Sequence, residues 1–340
     1  MTRNQDVGRR AAVVLCVTVA LMEPGNLADA SAGTAAAGLS QPPDGFVYVA
    51  NLHSDTVSVV DTGTGVVVDS VPVGEGPDSV AAGPDGSRLY VTNSSADTVS
   101  VIDARTRKVI DTVAVGDEPS RVAVSPDNRN VYVANVASDD VSVISTRTRA
   151  VTDTIAVGDA PLGLAVTPDG STLYVANAAS GTVSVVRTTT GMVTSTIPVG
   201  SGPTALVLTP DGRHLYVSNL TSDDVSVVDV HEGTESDRIP VGDQPAGIGV
   251  GQDGCQVYVA NIGSDSVSVI STGRRAVTVT IAVGDGPNGL AVSPDGSRVY
   301  VSNFDSDNLS IIDTSTARAT DTVIVGDGPT GLAATHGKTA

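Results

Sequence analysis

The sequence predicts an all-β, seven-bladed β-propeller, and three observations carry that prediction. Tyrosine recurs seven times at an interval of 42 residues, without one insertion or deletion. Each interval contains several short runs rich in Val and Thr, separated by Gly, Pro, Asn and Asp turn signals, which indicates strands joined by tight turns. Units of about 40 residues with four strands each are typical of propeller blades.

The repeat at residues 161–200 shows how one blade is encoded. A Pro-Asp-Gly-Ser turn follows the first strand; proline presets φ there, and glycine accepts a positive φ. The third strand alternates polar and apolar residues over residues 182–185. The four predicted antiparallel strands occupy residues 163–167, 173–176, 182–186 and 193–199.

A tyrosine and an asparagine are among the positions that are invariant in all seven repeats. The tyrosines lie in the second strand, and we expect them to be packing residues: Tyr48, Tyr90, Tyr132, Tyr174, Tyr216, Tyr258 and Tyr300. The asparagines follow three residues later, and we expect them to close the loop after that strand: Asn51, Asn93, Asn135, Asn177, Asn219, Asn261 and Asn303.

The segment Tyr90-Val91-Thr92-Asn93 is the literal signature of the YVTN-type repeat. With its Val-Gly-x-x-Pro and Ser-Pro-Asp-Gly segments, the whole unit resembles the YncE-like and surface-layer seven-bladed propellers. The resemblance extends over about residues 44–337. It implies the fold, and it implies an envelope or extracellular protein, but it implies no particular activity.

The ends of the array predict how the ring closes. The chain enters at Phe46, in the second strand of a blade, whereas residues 330–335 match a first, innermost strand. We therefore expect the C-terminal strand to join the N-terminal blade, which removes an open seam. The predicted organisation is a secretory signal peptide at 1–32, a flexible tether at 33–43, the propeller at 44–337 and a tail at 338–340.

The N-terminal residues predict export. Arg3, Arg9 and Arg10 precede an apolar run over residues 11–22, and Ala-x-Ala cleavage sites follow at 28–32. The run is too short for an ordinary membrane span. We expect a protein that is secreted, extracellular or in the cell envelope, monomeric, and without a membrane span after signal removal. General secretion, twin-arginine export and a retained anchor all stay open.

Composition restricts the class of partner. The formal net charge of −19 argues against nucleic acid and against anionic lipid. Loops after the second and fourth strands of a blade share one face, which we call the top face. Seventeen of the Asp and Glu residues map to it, and Arg121 is the only basic residue that we place there. The sequence predicts an acidic top face for an unknown protein, cation or small molecule, although Asp is also a common turn former.

A few residues depart from the repeat where the central channel should open. The two residues after the first-strand proline vary most, and Arg121 stands where other repeats have Gly, Ala or Ser. Arginine at this place is suited to hold a carboxylate or phosphate, or else to pair with a neighbouring Asp. The candidate ligand-binding residues at this mouth are Arg121, Asp78, Asn288, Thr204 and His53.

No catalytic motif accompanies these residues. The sequence has no P-loop and no Gly-x-Ser-x-Gly elbow, and its four histidines lack metal-ligand spacing. No cofactor is predicted, although oxygen-rich loops leave a divalent cation open. We expect a non-enzymatic binding scaffold. The alternatives are a lactonase- or lyase-like enzyme at the top of the channel, and a YncE-like nucleic-acid binder, which the charge disfavours.

Overall fold

The computed structural model describes residues 45–336, and these residues form a ring of seven four-stranded antiparallel sheets. The predicted seven-bladed β-propeller is therefore confirmed. The predicted signal peptide, tether and tail lie outside the described residues. Within the described range the one helix is a single 3-10 turn, Ile262–Ser264, which is far too short to cross a membrane.

The blades follow one another in chain order. Blade 1 contains β28 (Pro329–His336), β1 (Gly45–Asn51), β2 (Thr56–Asp61) and β3 (Val66–Pro72). Blade 2 contains β4 (Pro77–Ala82), β5 (Arg88–Asn93), β6 (Thr98–Asp103) and β7 (Lys108–Ala114). Blade 3 contains β8 (Pro119–Val124), β9 (Asn130–Asn135), β10 (Asp140–Ser145) and β11 (Ala150–Ala156). Blade 4 contains β12 (Pro161–Val166), β13 (Thr172–Asn177), β14 (Thr182–Arg187) and β15 (Met192–Pro198).

The last three blades repeat the same arrangement. Blade 5 contains β16 (Pro203–Leu208), β17 (His214–Asn219), β18 (Asp224–Asp229) and β19 (Thr234–Pro240). Blade 6 contains β20 (Pro245–Val250), β21 (Gln256–Asn261), β22 (Ser266–Ser271) and β23 (Ala276–Ala282). Blade 7 contains β24 (Pro287–Val292), β25 (Arg298–Asn303), β26 (Asn308–Asp313) and β27 (Arg318–Ile324). In every blade the first strand named is the innermost.

The ring closes through the C-terminal strand, as the sequence predicts. Strand β28 pairs antiparallel with β1, with Phe46 opposite Thr335 and Tyr48 opposite Ala333. A second link joins blades 7 and 1, because Nη1 of Arg298 donates a hydrogen bond of 2.8 Å to the carbonyl oxygen of Thr62. The two ends of the described chain are thus held in one sheet, and no blade edge is left open at the seam.

The hydrophobic core lies between blades rather than within any one of them. At each of the seven interfaces, apolar side chains of two adjacent blades form one buried cluster. Between blades 2 and 3, for example, Tyr90 and Val101 pack with Val122 and Val133. All seven repeat tyrosines are buried, and burial raises their pKa, that of Tyr258 to about 12.

The repeat asparagines are fully buried hydrogen-bonding residues. Nδ2 of Asn93 donates to Oγ of Ser100 at 3.0 Å, and the same bond to a third-strand serine recurs in all seven blades. A Cβ atom added to Gly74 would lie 2.7 Å from Cγ of Asn93. The asparagine packs directly against the backbone of the glycine in the Val-Gly segment. A larger residue at that glycine would clash with the asparagine side chain.

Candidate functional site: the top face and the channel mouth

Two loops build the top face of each blade: the loop after its second strand, and the connection that enters from the preceding blade. In blade 2 the backbone N–H of Ser94 donates to the carbonyl oxygen of Gly76 at 2.8 Å, and that of Ser95 donates to Glu75 at 3.3 Å. The same backbone pairing recurs around the ring. The top face is therefore a continuous layer of hydrogen-bonded loops.

Six aspartates in this layer hold the blade connections in place. Each lies at a positive φ and accepts a hydrogen bond at Oδ1 from the backbone N–H of the residue 21 positions later; Asp97, for example, accepts from Glu118 at 2.9 Å. Aspartate tolerates this left-handed backbone better than most residues. The six are Asp55, Asp97, Asp139, Asp223, Asp265 and Asp307.

A second set of carboxylates is exposed and lies in the connections themselves. Six of the seven connections carry an acidic residue at one equivalent position, where the seventh carries Ser201. The six acidic residues are Glu75, Asp117, Asp159, Asp243, Asp285 and Asp327. Among residues 45–336, Asp327 is the one member of this set with an ion pair, at 3.4 Å from Nδ1 of His53. We call these six residues the acidic ring.

Basic residues lie mostly on the opposite side. Arg149, in a bottom turn of blade 3, lies 3.2 Å from Asp111 on the outer strand of blade 2. Arg238 is different, because its Nη1 lies 3.8 Å from Asp224, the first residue of β18 at the top of blade 5. The expectation that Arg121 is the only basic residue on the top was therefore wrong.

Four of the five candidate residues lie together in one layer of the channel. The mouth consists of the two residues that follow the proline of each innermost strand. Asp78, Arg121, Thr204 and Asn288 lie on β4, β8, β16 and β24, and each is at most 3% exposed. Arg121 is the largest fully buried side chain of the described residues. These four side chains of the mouth are thus buried.

The fifth candidate, His53, lies elsewhere on the top face. Its ring contacts Phe304 edge to face, with centroids 5.4 Å apart, and its Nδ1 faces Asp327. Its side chain is about half exposed, at 53%. The structure therefore places His53 at the seam between blades 7 and 1 rather than at the mouth.

The mouth is polar on one side and apolar on the other. Asn288, Thr330, Asp78 and Ser120 come from four consecutive blades, 7, 1, 2 and 3. Oδ1 of Asn288 and Oγ of Ser120 are buried and have no hydrogen-bond partner among residues 45–336. Across the mouth, Leu162 and Ala246 of blades 4 and 6 belong to one apolar cluster.

Thr204 has a structural role in this layer. Its Oγ1 donates to the carbonyl oxygen of Ser218 at 3.1 Å within blade 5. The same atom lies 3.3 Å from the carbonyl oxygen of Pro245 in blade 6. These bonds satisfy the hydroxyl, so Thr204 joins two blades.

Sequence reasoning missed a set of hydroxyl groups that bridge neighbouring blades beneath the mouth. Oγ of Ser218 accepts from the backbone N–H of Ala205 at 3.2 Å and donates to the carbonyl oxygen of Ala246 at 2.6 Å. Thr92 and Ser302 make the equivalent bridges. The available signal was the third position of the Tyr-Val-x-Asn unit, which is Ser or Thr in these three blades and Ala in the other four.

The described residues do not form a preassembled metal centre. Within residues 45–336, no three His, Cys, Asp or Glu side chains are grouped so that they could hold an ion.

Comparison with family models assigns the chain to a family of propellers. The model of the lactonase seven-bladed β-propeller matches residues 105–198 and 234–324, together more than half of the sequence. The chain therefore belongs to the lactonase seven-bladed β-propeller family. A YncE-like β-propeller model also matches residues 11–128. No curated protein matches the chain significantly.

Solved structures share the architecture. A structure of the hydrazine synthase of Kuenenia stuttgartiensis is 25% identical, with a TM-score of 0.73, covering 79% of this chain and 92% of the other. A protein of unknown function from Desulfotomaculum acetoxidans is 19% identical, with a TM-score of 0.77, covering 86% and 99%. A candidate 6-phosphogluconolactonase from Bacteroides uniformis is 16% identical, with a TM-score of 0.74, covering 86% and 100%.

Proposed function

We propose that this propeller is a binding module that recruits a positively charged partner to its top face and catalyses no reaction. The observation that carries the proposal is the acidic ring. Six of seven repeats place an exposed carboxylate at the same position of the blade connection, and five of these six have no ion pair among residues 45–336.

The function of these carboxylates can be separated from the fold. The left-handed aspartates hold loops through their side chains, whereas the loops of the acidic ring are held by backbone groups. Asp117, for example, is fixed through its backbone N–H, which donates to Oγ of Ser138 at 2.7 Å. Its carboxylate is exposed. Like charges repeated around one face create a potential that attracts cations and speeds their association.

The proposal predicts charge-dependent binding at one face. The probe is an octamer of lysine, and its Kd is measured by calorimetry at low and at physiological salt. A triple variant of the ring, Asp117→Asn, Asp159→Asn and Asp285→Asn, should weaken binding about tenfold, since each exposed ion pair contributes up to about 1 kcal/mol.

The matched control removes the same charge elsewhere. Asp153→Asn, Asp321→Asn and Glu232→Gln neutralise three exposed carboxylates of the outer strands and a bottom turn. They should change the Kd less than twofold at physiological salt, where exposed charges beyond about 8 Å are screened. Equal losses in the two triple variants would contradict binding at the top face.

A second candidate function is lactone hydrolysis at the mouth. The family match supports it, and so does a fully buried arginine in the same layer as Asp78 and Asn288, since active sites are places where buried charges are gathered. The test compares hydrolysis of glucono-δ-lactone and its 6-phosphate by the wild type and by Arg121→Met. A wild-type rate equal to that of buffer alone would exclude this candidate, provided that calorimetry shows a folded protein.

We also propose that the protein acts outside the cytoplasm, secreted or held in the cell envelope. The support is the N-terminal sequence, in which three arginines precede an apolar run and small-residue cleavage sites. Sequencing the N-terminus of the protein from culture medium tests this proposal. Cleavage near residues 28–32 is expected, and an uncleaved protein confined to the cytosol would contradict it.

A further inference from the structure

The top face also carries apolar side chains, in contrast to its exposed carboxylates. The residue after each repeat asparagine lies in a top-face loop, and in six of seven blades it is apolar and half-buried. These residues are Leu52, Val136, Ala178, Leu220, Ile262 and Phe304, with Ser94 in blade 2. Partly exposed apolar side chains surrounded by charge are typical of interaction surfaces.

This apolar surface is one-sided. The side chains from blades 3 to 6, Val136, Ala178, Leu220 and Ile262, pack against Leu162 and Ala246 at the mouth. We call these six residues the apolar crescent. Leu52 occupies the same loop position as Leu220, but it lies in blade 1 and is not part of this cluster.

Polar atoms without partners lie at the same level of the mouth. Ser120 and Asn288 occupy the register position of Leu162 and Ala246, the second residue of each innermost strand. Because the blades repeat one geometry, their side chains point into the same mouth. Both are 3% exposed, and Oγ of Ser120 and Oδ1 of Asn288 have no hydrogen-bond partner among residues 45–336. A buried acceptor without a donor favours a ligand that supplies one.

Carboxylates lie directly outside the crescent. The backbone N–H of Val136 donates to the carbonyl oxygen of Glu118 at 3.0 Å, and that of Ile262 donates to Gln244 at 3.0 Å. The residues before these acceptors are Asp117 and Asp243 of the acidic ring, and both are exposed. The crescent is therefore bordered by negative charge on at least two of its blades.

We infer that the crescent binds an aliphatic side chain in a basic polypeptide segment, in which one apolar residue is flanked by lysine or arginine. The inference rests on the proposed function and adds the chemistry of the partner. The aliphatic side chain covers the crescent, and the basic residues meet the carboxylates outside it. Backbone N–H groups of the segment are the donors that Asn288 and Ser120 lack. A simple polyamine offers the charge without the aliphatic branch or the amide donors.

The experiment uses three synthetic peptides with the full-length protein. The first is Lys-Lys-Gly-Leu-Gly-Lys-Lys, the second has Ser in place of Leu, and the third has Glu in place of every Lys. The leucine peptide should bind about tenfold more tightly than the serine peptide, since burial of part of a leucine side chain gives a factor of this size. The glutamate peptide should not bind.

Two leucines at the same loop position provide matched variants. Leu220→Ser should abolish the preference for the leucine peptide, whereas Leu52→Ser should keep it. Circular dichroism melts of both variants confirm that each remains folded. If both cationic peptides bind equally to the wild type, the inference is overturned and the proposed function survives. If neither binds, the proposed function fails, and if Leu52→Ser alone abolishes the preference, the crescent is not the site.

Discussion

A glycine in the top-face connections gives the most direct test of the packing described above. Gly202 has a φ of +66°, and a Cβ atom added there would lie 2.5 Å from Oγ1 of Thr221. The structure therefore predicts that Gly202→Ala lowers the free energy of unfolding for two separate reasons. One is the left-handed backbone, about 1 to 2 kcal/mol for an L-residue, and the other is the clash with the threonine, again about 1 to 2 kcal/mol for overpacking.

The equivalent positions in other blades support this division. Ala160 has the same left-handed backbone, with a φ of +51°, and the residue that faces it is Ala179 rather than Thr221. Gly76 and Gly286 face Ser95 and Asp305, whose side chains would also meet an added Cβ at 2.5 Å. In these pairs of facing positions, a residue larger than alanine thus occurs at one position only where the other is Gly or Ala.

The assay is equilibrium unfolding in urea, with Gly202→Ala expected to lose about 2 to 4 kcal/mol of unfolding free energy. Gly65→Ala is the control, because Gly65 has a φ of +68° but nothing within 4 Å of its added Cβ. It should lose only the backbone part, about 1 to 2 kcal/mol. Adding Thr221→Ala to Gly202→Ala should bring the loss down to the level of the control. If the double variant is as unstable as Gly202→Ala alone, the clash argument is refuted.

Two further predictions concern buried hydroxyl groups. Ser218→Ala removes the bridge from blade 5 to the carbonyl oxygen of Ala246 and should cost about 1 to 2 kcal/mol in urea unfolding; a loss no larger than that of the exposed Ser236→Ala would contradict a bridging role. Burial raises the pKa of Tyr258 to about 12 from its ordinary 10. Because the raised value belongs to the folded state, its stabilisation is complete below pH 10 and is lost as pH rises toward 12. Unfolding and tyrosinate absorbance should rise together over that interval, and tyrosinate formation near pH 10 in a folded protein would oppose the assignment.

The period of the repeat was sufficient to predict the fold. Four strands per unit, seven units and the entry of the chain in a second strand lead to a closed ring with β28 in blade 1, because each unit alone leaves both of its faces uncovered. The tyrosines were recognisable as packing residues from their strand position. In these respects local pattern and global fold agree, as expected for a repeat architecture.

The top face was less predictable, because its bonds join residues of different loops. The sequence suggests that Asp97 turns its own loop, whereas its carboxylate holds the connection at Glu118. Likewise, Asn93 bonds Ser100 of the next strand and packs on Gly74 of the preceding connection. Nothing in the spacing of Arg121 showed that it would be fully buried, since burial at the mouth depends on side chains from several blades.

The exchange of one strand across the seam has a consequence for the order of events in synthesis. Blade 1 is the one described blade whose strands come from both ends of the array, Pro329–His336 and Gly45–Pro72. A growing chain can stack blades 2 to 7 as each emerges, but the first sheet stays three-stranded until its final eight residues arrive. A chain cut short before Pro329 would keep the apolar side chains of two blade interfaces open to water. The ring can therefore close only after all seven repeats of the array have been synthesised.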